Sequence, residues 1–242
     1  MLEDLFFGLI ERWSKLRGWL LTWRFRQVFG KDAGKEYHII YYLKFVQDRT
    51  TIFVSQKPKI ERPLYANATN LTSIHSCATT RAMGHLVYSF GGNVKVPPTI
   101  DSDVDTDEKM DISFISIGGL GNLKTCDLLE DVSHFLRFDK NSIMWGPSIL
   151  ATACDGVDCA FIIKTHPYSN PERTWLCCAG VGEWGTSGAA WLLARKWKDI
   201  RKWAKNRPFA IITKTHINSD ESTQLVHRFL RYSDTAEFTK LT

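Results

Sequence analysis

Apolar positions recur at three- and four-residue steps along the first stretch of the chain. Leu2, Leu5, Phe6, Leu9, Ile10, Trp13, Leu16, Leu20 and Trp23 form one stripe, with Arg12, Lys15, Arg17, Arg24 and Arg26 largely off it. That spacing predicts an amphipathic helix over 2–29, ended by Gly30 and Gly34. The pattern then changes to short apolar runs. Runs at 37–45, 50–54, 94–96, 111–118, 160–164, 175–179 and 209–213 are rich in β-branched and aromatic residues and read as strands. Helical spacing returns at 73–90, where Ile74, Ala78, Ala82, Leu86 and Phe90 mark one face, and again at 126–135, from about 189 to 204, and at 221–229. Residues 55–70 and 137–158 read as connections. Strands alternating with helices predict an α/β fold, a three-layer Rossmann-like and mostly parallel sheet preceded by the N-terminal helix. The expected organisation is an arm over 1–34, a domain over 35–232 and a polar tail over 233–242.

Two strand–glycine–helix units carry the candidate chemistry. Gly180, Gly182 and Gly185 stand in a G-x-G-x-x-G pattern between the run at 175 and the helix, with Thr186 and Ser187 placed to cap that helix. Bare amides at a helix N-terminus suit an anion. The second unit runs Gly118-Gly119-Leu-Gly-Asn122-Leu-Lys124-Thr125. Here Lys124 would neutralise a phosphate, and Asn122 and Thr125 would bond ribose or phosphate oxygens; the plain alternative is a turn with an Asn cap. In parallel α/β sheets ligands gather beyond the carboxyl ends of strands, so the loops at 118, 165, 180 and 215 are expected to converge.

Glu183, inside the glycine loop, would accept a ribose diol or act as a general base, or simply sit beside helix amides that stabilise its charge. Trp184 would stack on a base or cover the core. His166 and His216 close two similar phrases, Lys-Thr-His, and would face one cleft if their strands were neighbours. Lys214-Thr215-His216 stands where a dinucleotide site needs an acidic residue, which argues against ordinary NAD-dependent dehydrogenase chemistry. Cys178 lies mid-strand with no base implied nearby, a poor nucleophile.

Composition narrows little. The 242 residues carry a formal charge of +5, only mildly basic, which argues against a dedicated nucleic-acid domain. The helix after the glycine loop ends in a basic run with Trp191, Trp197 and Trp203 between its cations. Six cysteines without a C-x-x-C pair read as reduced thiols, and no metal site is expected. Asp101, Asp103, Asp105, Asp107 and Glu108 read as a solvated acidic turn. The sequons at Asn67 and Asn70 have no signal peptide beside them. No apolar run reaches the roughly 18 residues of a membrane span.

The phrases FISIGGLGNLKT and NPERTWLCCAGVGEWGTSGAAWLLARKW resemble a prokaryotic Rossmann-like domain family in which a strand ending in Gly-Gly, a following Asn and a G-T-x-G-A-A loop recur together. The match covers residues 111–215. Its arrangement is similar to the SLOG and TIR nucleotide-sensing groups, by fold analogy alone. That resemblance implies a nucleotide-like ligand in a sensor or effector of bacterial signalling or defence, with the cofactor left unidentified. The alternatives are a hydrolase using Glu183 with His166 or His216, and a structural interaction module. Residues 2–29 would contact an anionic membrane surface, a partner protein or a second copy. The expected location is cytoplasmic, peripheral to the inner membrane.

Overall fold

The computed structural model describes residues 20, 22–31, 33, 38–41, 52–57, 60–64, 80–86, 99–100, 112–120, 122–132, 136–167, 170–231 and 238–241. Helix α1 covers 22–29 and α2 covers 80–86. Strands β1 (His38–Tyr41), β2 (Ile52–Lys57), β3 (Ile60–Leu64), β4 (Thr99–Ile100) and β5 (Phe114–Ile117) precede helix α3 (Leu123–Val132). Then come β6 (Leu136–Asp139), β7 (Ser142–Trp145), β8 (Ser148–Thr152), β9 (Val157–Thr165) and β10 (Trp175–Gly180). Helix α4 (Glu183–Ala204), β11 (Phe209–His216), a short 3-10 helix (Asp220–Ser222), β12 (Gln224–Arg231) and β13 (Phe238–Leu241) complete the order.

Eight strands form the main sheet in the order β13-β12-β11-β9-β10-β5-β1-β4. Among the described residues, β1–β4, β1–β5 and β5–β10 pair in parallel, and β9–β10, β9–β11, β11–β12 and β12–β13 are antiparallel. A β2–β3 hairpin and a β6–β7–β8 meander add further antiparallel pairs. The sheet is therefore mixed and mainly antiparallel, not the mostly parallel Rossmann-like sheet expected. The cause is the link between β9 and β10. It spans 166–174 with Pro167 and Pro171, and a parallel crossover needs a dozen or more residues. The chain can only turn back, so β9 runs against its neighbours. Helix α4 then carries the chain from β10 to β11, leaving β9 between these two co-directional strands.

Alternate side chains of the central strands feed two cores. Ala160, Ile162, Leu176, Cys178, Phe209 and Ile211 face α4, α1 and α2, which bring Leu193, Ile200, Val28, Phe29, Ala82 and Leu86. Phe161, Ile163, Trp175, Cys177 and Ile212 face Leu128 of α3 and Ile143 and Ala151 of the meander. Covered on both sides, β5 and β10 are buried along their whole length. Each fully buried Leu, Ile or Phe adds about 1.5–3 kcal/mol by burial.

Three further expectations are corrected. The segment 221–229 is not a helix, because β12 pairs with β11 through Phe209–Leu230 and Ala210–Phe229. The connection at 137–158 is the meander, turning at Lys140 and Gly146, both with positive φ. Part of the polar tail is β13, an edge strand on β12. The acidic turn, both sequons, Cys77, the strand expected at 94–96 and the stripe before residue 20 lie outside the described residues. Among the described residues, no helix is long and apolar enough to cross a membrane.

Candidate functional site

Helix α4 starts at Glu183, with Gly182 at its N-cap. Thr186 and Ser187 are therefore in its first turns rather than before it. Thr186 Oγ1 donates to the Gly182 carbonyl at 3.1 Å and accepts the Gly180 amide at 3.0 Å. The exposed first-turn amides of a helix need an anion or an acceptor. Here the chain supplies its own. Asp158, at the start of β9 and 6% exposed, takes the Gly182 amide at 3.0 Å and its neighbour Cys159's amide at 2.7 Å on Oδ1, and the Gly185 amide at 2.7 Å on Oδ2. A phosphate at this loop would have to displace that carboxylate.

The glycines are explained by the same closeness. A Cβ on Gly182 would come within 2.6 Å of Asp158 Oδ2, and one on Gly185 within 2.6 Å of the Cys159 carbonyl. At Gly180 it would meet the Thr186 amide at 2.4 Å. Packing on β9 at Gly182 and Gly185 and the bend's own backbone at Gly180 thus suffice to require the whole pattern.

The second bend does meet the first. A Cβ on Gly119 would touch the Gly180 carbonyl at 3.4 Å, and the Gly118 amide donates to the Cys178 carbonyl at 3.0 Å. Gly118 adopts φ of 113°, a conformation that suits glycine. Its polar followers turn inward. Asn122 caps α3, its Oδ1 accepting the Lys124 amide at 2.9 Å while Nδ2 donates to the Ile117 carbonyl at 3.0 Å. Thr125 Oγ1 lies 2.8 Å from the Gly118 carbonyl. Lys124, 1% exposed, pairs with Asp127 at 3.0 Å. Asn122, Lys124 and Thr125 are buried and spend these groups inside the protein.

The loops at 118, 180 and 215 share one rim of the sheet; the loop at 165 does not. His216 pairs with Val157, the first residue of β9, and Thr165, its last, pairs with Trp175. The eight steps between put His166 and His216 about 26 Å apart. His166 Nδ1 lies 2.8 Å from the Arg173 carbonyl at the far rim, and His216 is exposed. Glu183 cannot share a site with His166. The buried thiols are also unsuited to nucleophilic work: burial pushes Cys159 and Cys177 up to about 12 and raises Cys178 well above its ordinary value.

Beside the Gly180–Gly182 bend lies an open cleft of about 480 Å³. Asn141, Cys154, Asp155, Glu183, Trp184 and Ile217 line it, with Val157 and Val181 adding apolar wall. No Lys, Arg or His is among the described lining residues.

A charged cluster that also touches Trp184 binds α2 to α4. The Arg81 guanidinium stacks 3.9 Å from the Trp184 ring centre. Asp220, 4% exposed, accepts Ser187 Oγ at 2.5 Å on Oδ1 and meets His85 Nε2 at 3.0 Å on Oδ2, with the Arg81 guanidinium an ion-pair neighbour at 3.4 Å. Burial would raise the Asp220 carboxyl, but the His85 and Ser187 hydrogen bonds and the nearby charges outweigh it and hold it below its ordinary 3.8. The carboxylate stands between hydroxyl and imidazole, so the His85 imidazole does not reach Ser187, and the order is wrong for a nucleophilic triad. Among the described residues, no three His, Cys, Asp or Glu side chains gather as metal ligands would.

Sequence reasoning missed Asp158, Asp155, Asn141 and the Asp220 cluster. Asp158 lies 24 and 27 positions from the amides it holds, and no local spacing announces that. No family model matches the chain, and neither curated proteins nor solved structures supply a match.

Proposed function

We propose that the chain is a ligand-binding module whose cleft at the Gly180–Gly182 bend takes a neutral or cationic small molecule with a flat or apolar body. One observation carries this reading: the cleft wall holds Glu183 and Asp155 and no described basic side chain, while the neighbouring loop amides are spent on Asp158. Carboxylates repel a phosphate and attract an amine or a diol. Trp184, already stacked on Arg81, adds aromatic surface to the cleft wall and Ile217 an apolar rim. The nucleotide expectation is carried forward in narrower form. A nucleoside or its derivative would enter base or ribose first, with any phosphate directed to solvent. A role in signalling or defence rests on this binding reading.

The test is a thermal-shift and calorimetry panel of nucleosides, their 5′-phosphates and polyamines. At roughly 100 times its Kd a ligand adds about 2.7 kcal/mol, which raises Tm by about 5 °C for a chain of this size. The reading expects a nucleoside or amine to bind at least as well as its phosphorylated counterpart, and Glu183→Gln with Asp155→Asn to remove the shift. A nucleotide that binds only through its phosphates, or a shift untouched by the two substitutions, would overturn it.

A further inference from the structure

Helix α1 holds one apolar residue apart from its inward face. Phe25, Val28 and Phe29 turn inward; the Phe25 ring stacks on Phe29 at 4.2 Å and meets Trp197 of α4 edge-on at 5.3 Å. Trp23 points elsewhere and is 46% exposed. At about 100° per residue, Trp23 lies roughly 200° from Phe25 and 140° from Val28. In the sequence, Trp23 closes the stripe that begins at Leu2. By sequence spacing alone the stripe shares the period of Trp23, whereas Phe25, Val28 and Phe29, which the core uses, fall outside it.

Around Trp23 the surface is basic. The Arg201 guanidinium lies 5.5 Å from the Trp23 ring, within cation–π range. Exposed Lys198, Lys202 and Lys205 continue along α4, and Arg24 adds to them from α1. Between Arg195 and Lys205 the only acid is Asp199, 2.7 Å from Lys202.

We propose that this face docks on an anionic membrane surface. Trp23 enters the headgroup boundary at the end of the N-terminal stripe, and the α4 cations meet lipid phosphates. Two observations select lipid over nucleic acid. The stripe is built of Leu, Ile, Phe and Trp, which gain from an acyl boundary and offer nothing to a phosphodiester backbone. The tryptophan sits among cations at the stripe's end, the arrangement that interfacial helices use.

The test is co-sedimentation of the full chain with vesicles of phosphatidylcholine, alone or with roughly a third phosphatidylserine. The expected result is pelleting with the anionic vesicles only, weakened by salt. Each cation near a charged bilayer changes affinity about fivefold. Lys198→Ala with Lys202→Ala should therefore weaken binding about 25-fold, with both exposed changes leaving the melting curve in place. Brominated lipid should quench wild type more than Trp23→Phe, a difference that isolates one of the nine tryptophans. Equal pelleting with neutral vesicles, equal quenching of the two proteins, or the same alanines abolishing duplex DNA binding while vesicles are ignored would each overturn the proposal.

Discussion

Asp158→Ala isolates the contact on which the glycine loop depends. The carboxylate accepts three main-chain amides, from Cys159, Gly182 and Gly185. A hydrogen bond to a charged group contributes about 1.5–3 kcal/mol. Gly182 is exposed and its amide rehydrates in the variant, whereas Cys159 and Gly185 are buried and theirs do not. Two bonds lost outright and one partly replaced give about 4–7 kcal/mol. At roughly 2 °C per kcal/mol for a chain of this length, Tm should fall about 8–14 °C by calorimetry. Asp158→Asn keeps one acceptor oxygen and should lose about half as much. The vacated amides then form an empty anion cradle, so inorganic phosphate should raise the Tm of the Ala variant and not that of wild type. An Ala variant melting within about 2 °C of wild type, or equal stabilisation of both by phosphate, would refute the account of Asp158 as the loop's resident anion.

Lys164 is 1% exposed and donates to the Gln27 and Asn206 carbonyls at 2.7 and 3.0 Å, and burial pushes it down to about 7. The unfolded chain, with its lysine near 10.4, binds more protons than the native state between those two values. Stability should therefore rise with pH across that window, by up to about 4–5 kcal/mol, and Lys164→Met should flatten the slope in urea titrations. Lys124→Met leaves the buried Asp127 charge without its ammonium and should cost about 3–5 kcal/mol. The double change with Asp127→Leu should recover most of that loss in the same melts. In Gly188→Ala the new methyl would stand 2.3 Å from Thr223 Oγ1 and 2.4 Å from Thr215 Oγ1. Forcing α4 off β11 in this way should cost about 2–3 kcal/mol by denaturant midpoint.

The strands at 111–118, 160–164, 175–179 and 209–213 were legible because runs of apolar residues need cover on both faces. Strand direction was harder to read, although the nine residues between Thr165 and Trp175 contain it: with two prolines and no helical spacing, they are too short for a crossover. Placing the loop at 165 with the others followed from missing that constraint. The segment 221–229 misled because Leu225, Val226, Phe229 and Leu230 satisfy helical spacing, while pairing with β11 decides the matter from outside the segment. At the site, the meeting of the two glycine bends was readable from the two strand–glycine–helix units. What their amides hold was not, since Asp158 is distant in sequence and the glycine pattern is the same whether a phosphate or the chain's own carboxylate fills the cradle.

The reversed β9 has a consequence for vectorial synthesis. Its first neighbour, β10, follows within a few residues, but its second, β11, emerges only about fifty residues later. At roughly 5–20 residues per second, one long flank of this apolar strand stays open for several seconds on the ribosome. In that interval it can template sticking to other nascent chains. Stalling the ribosome just before Phe209 should leave a product that holdase chaperones retain, and release should follow once His216 has cleared the exit tunnel.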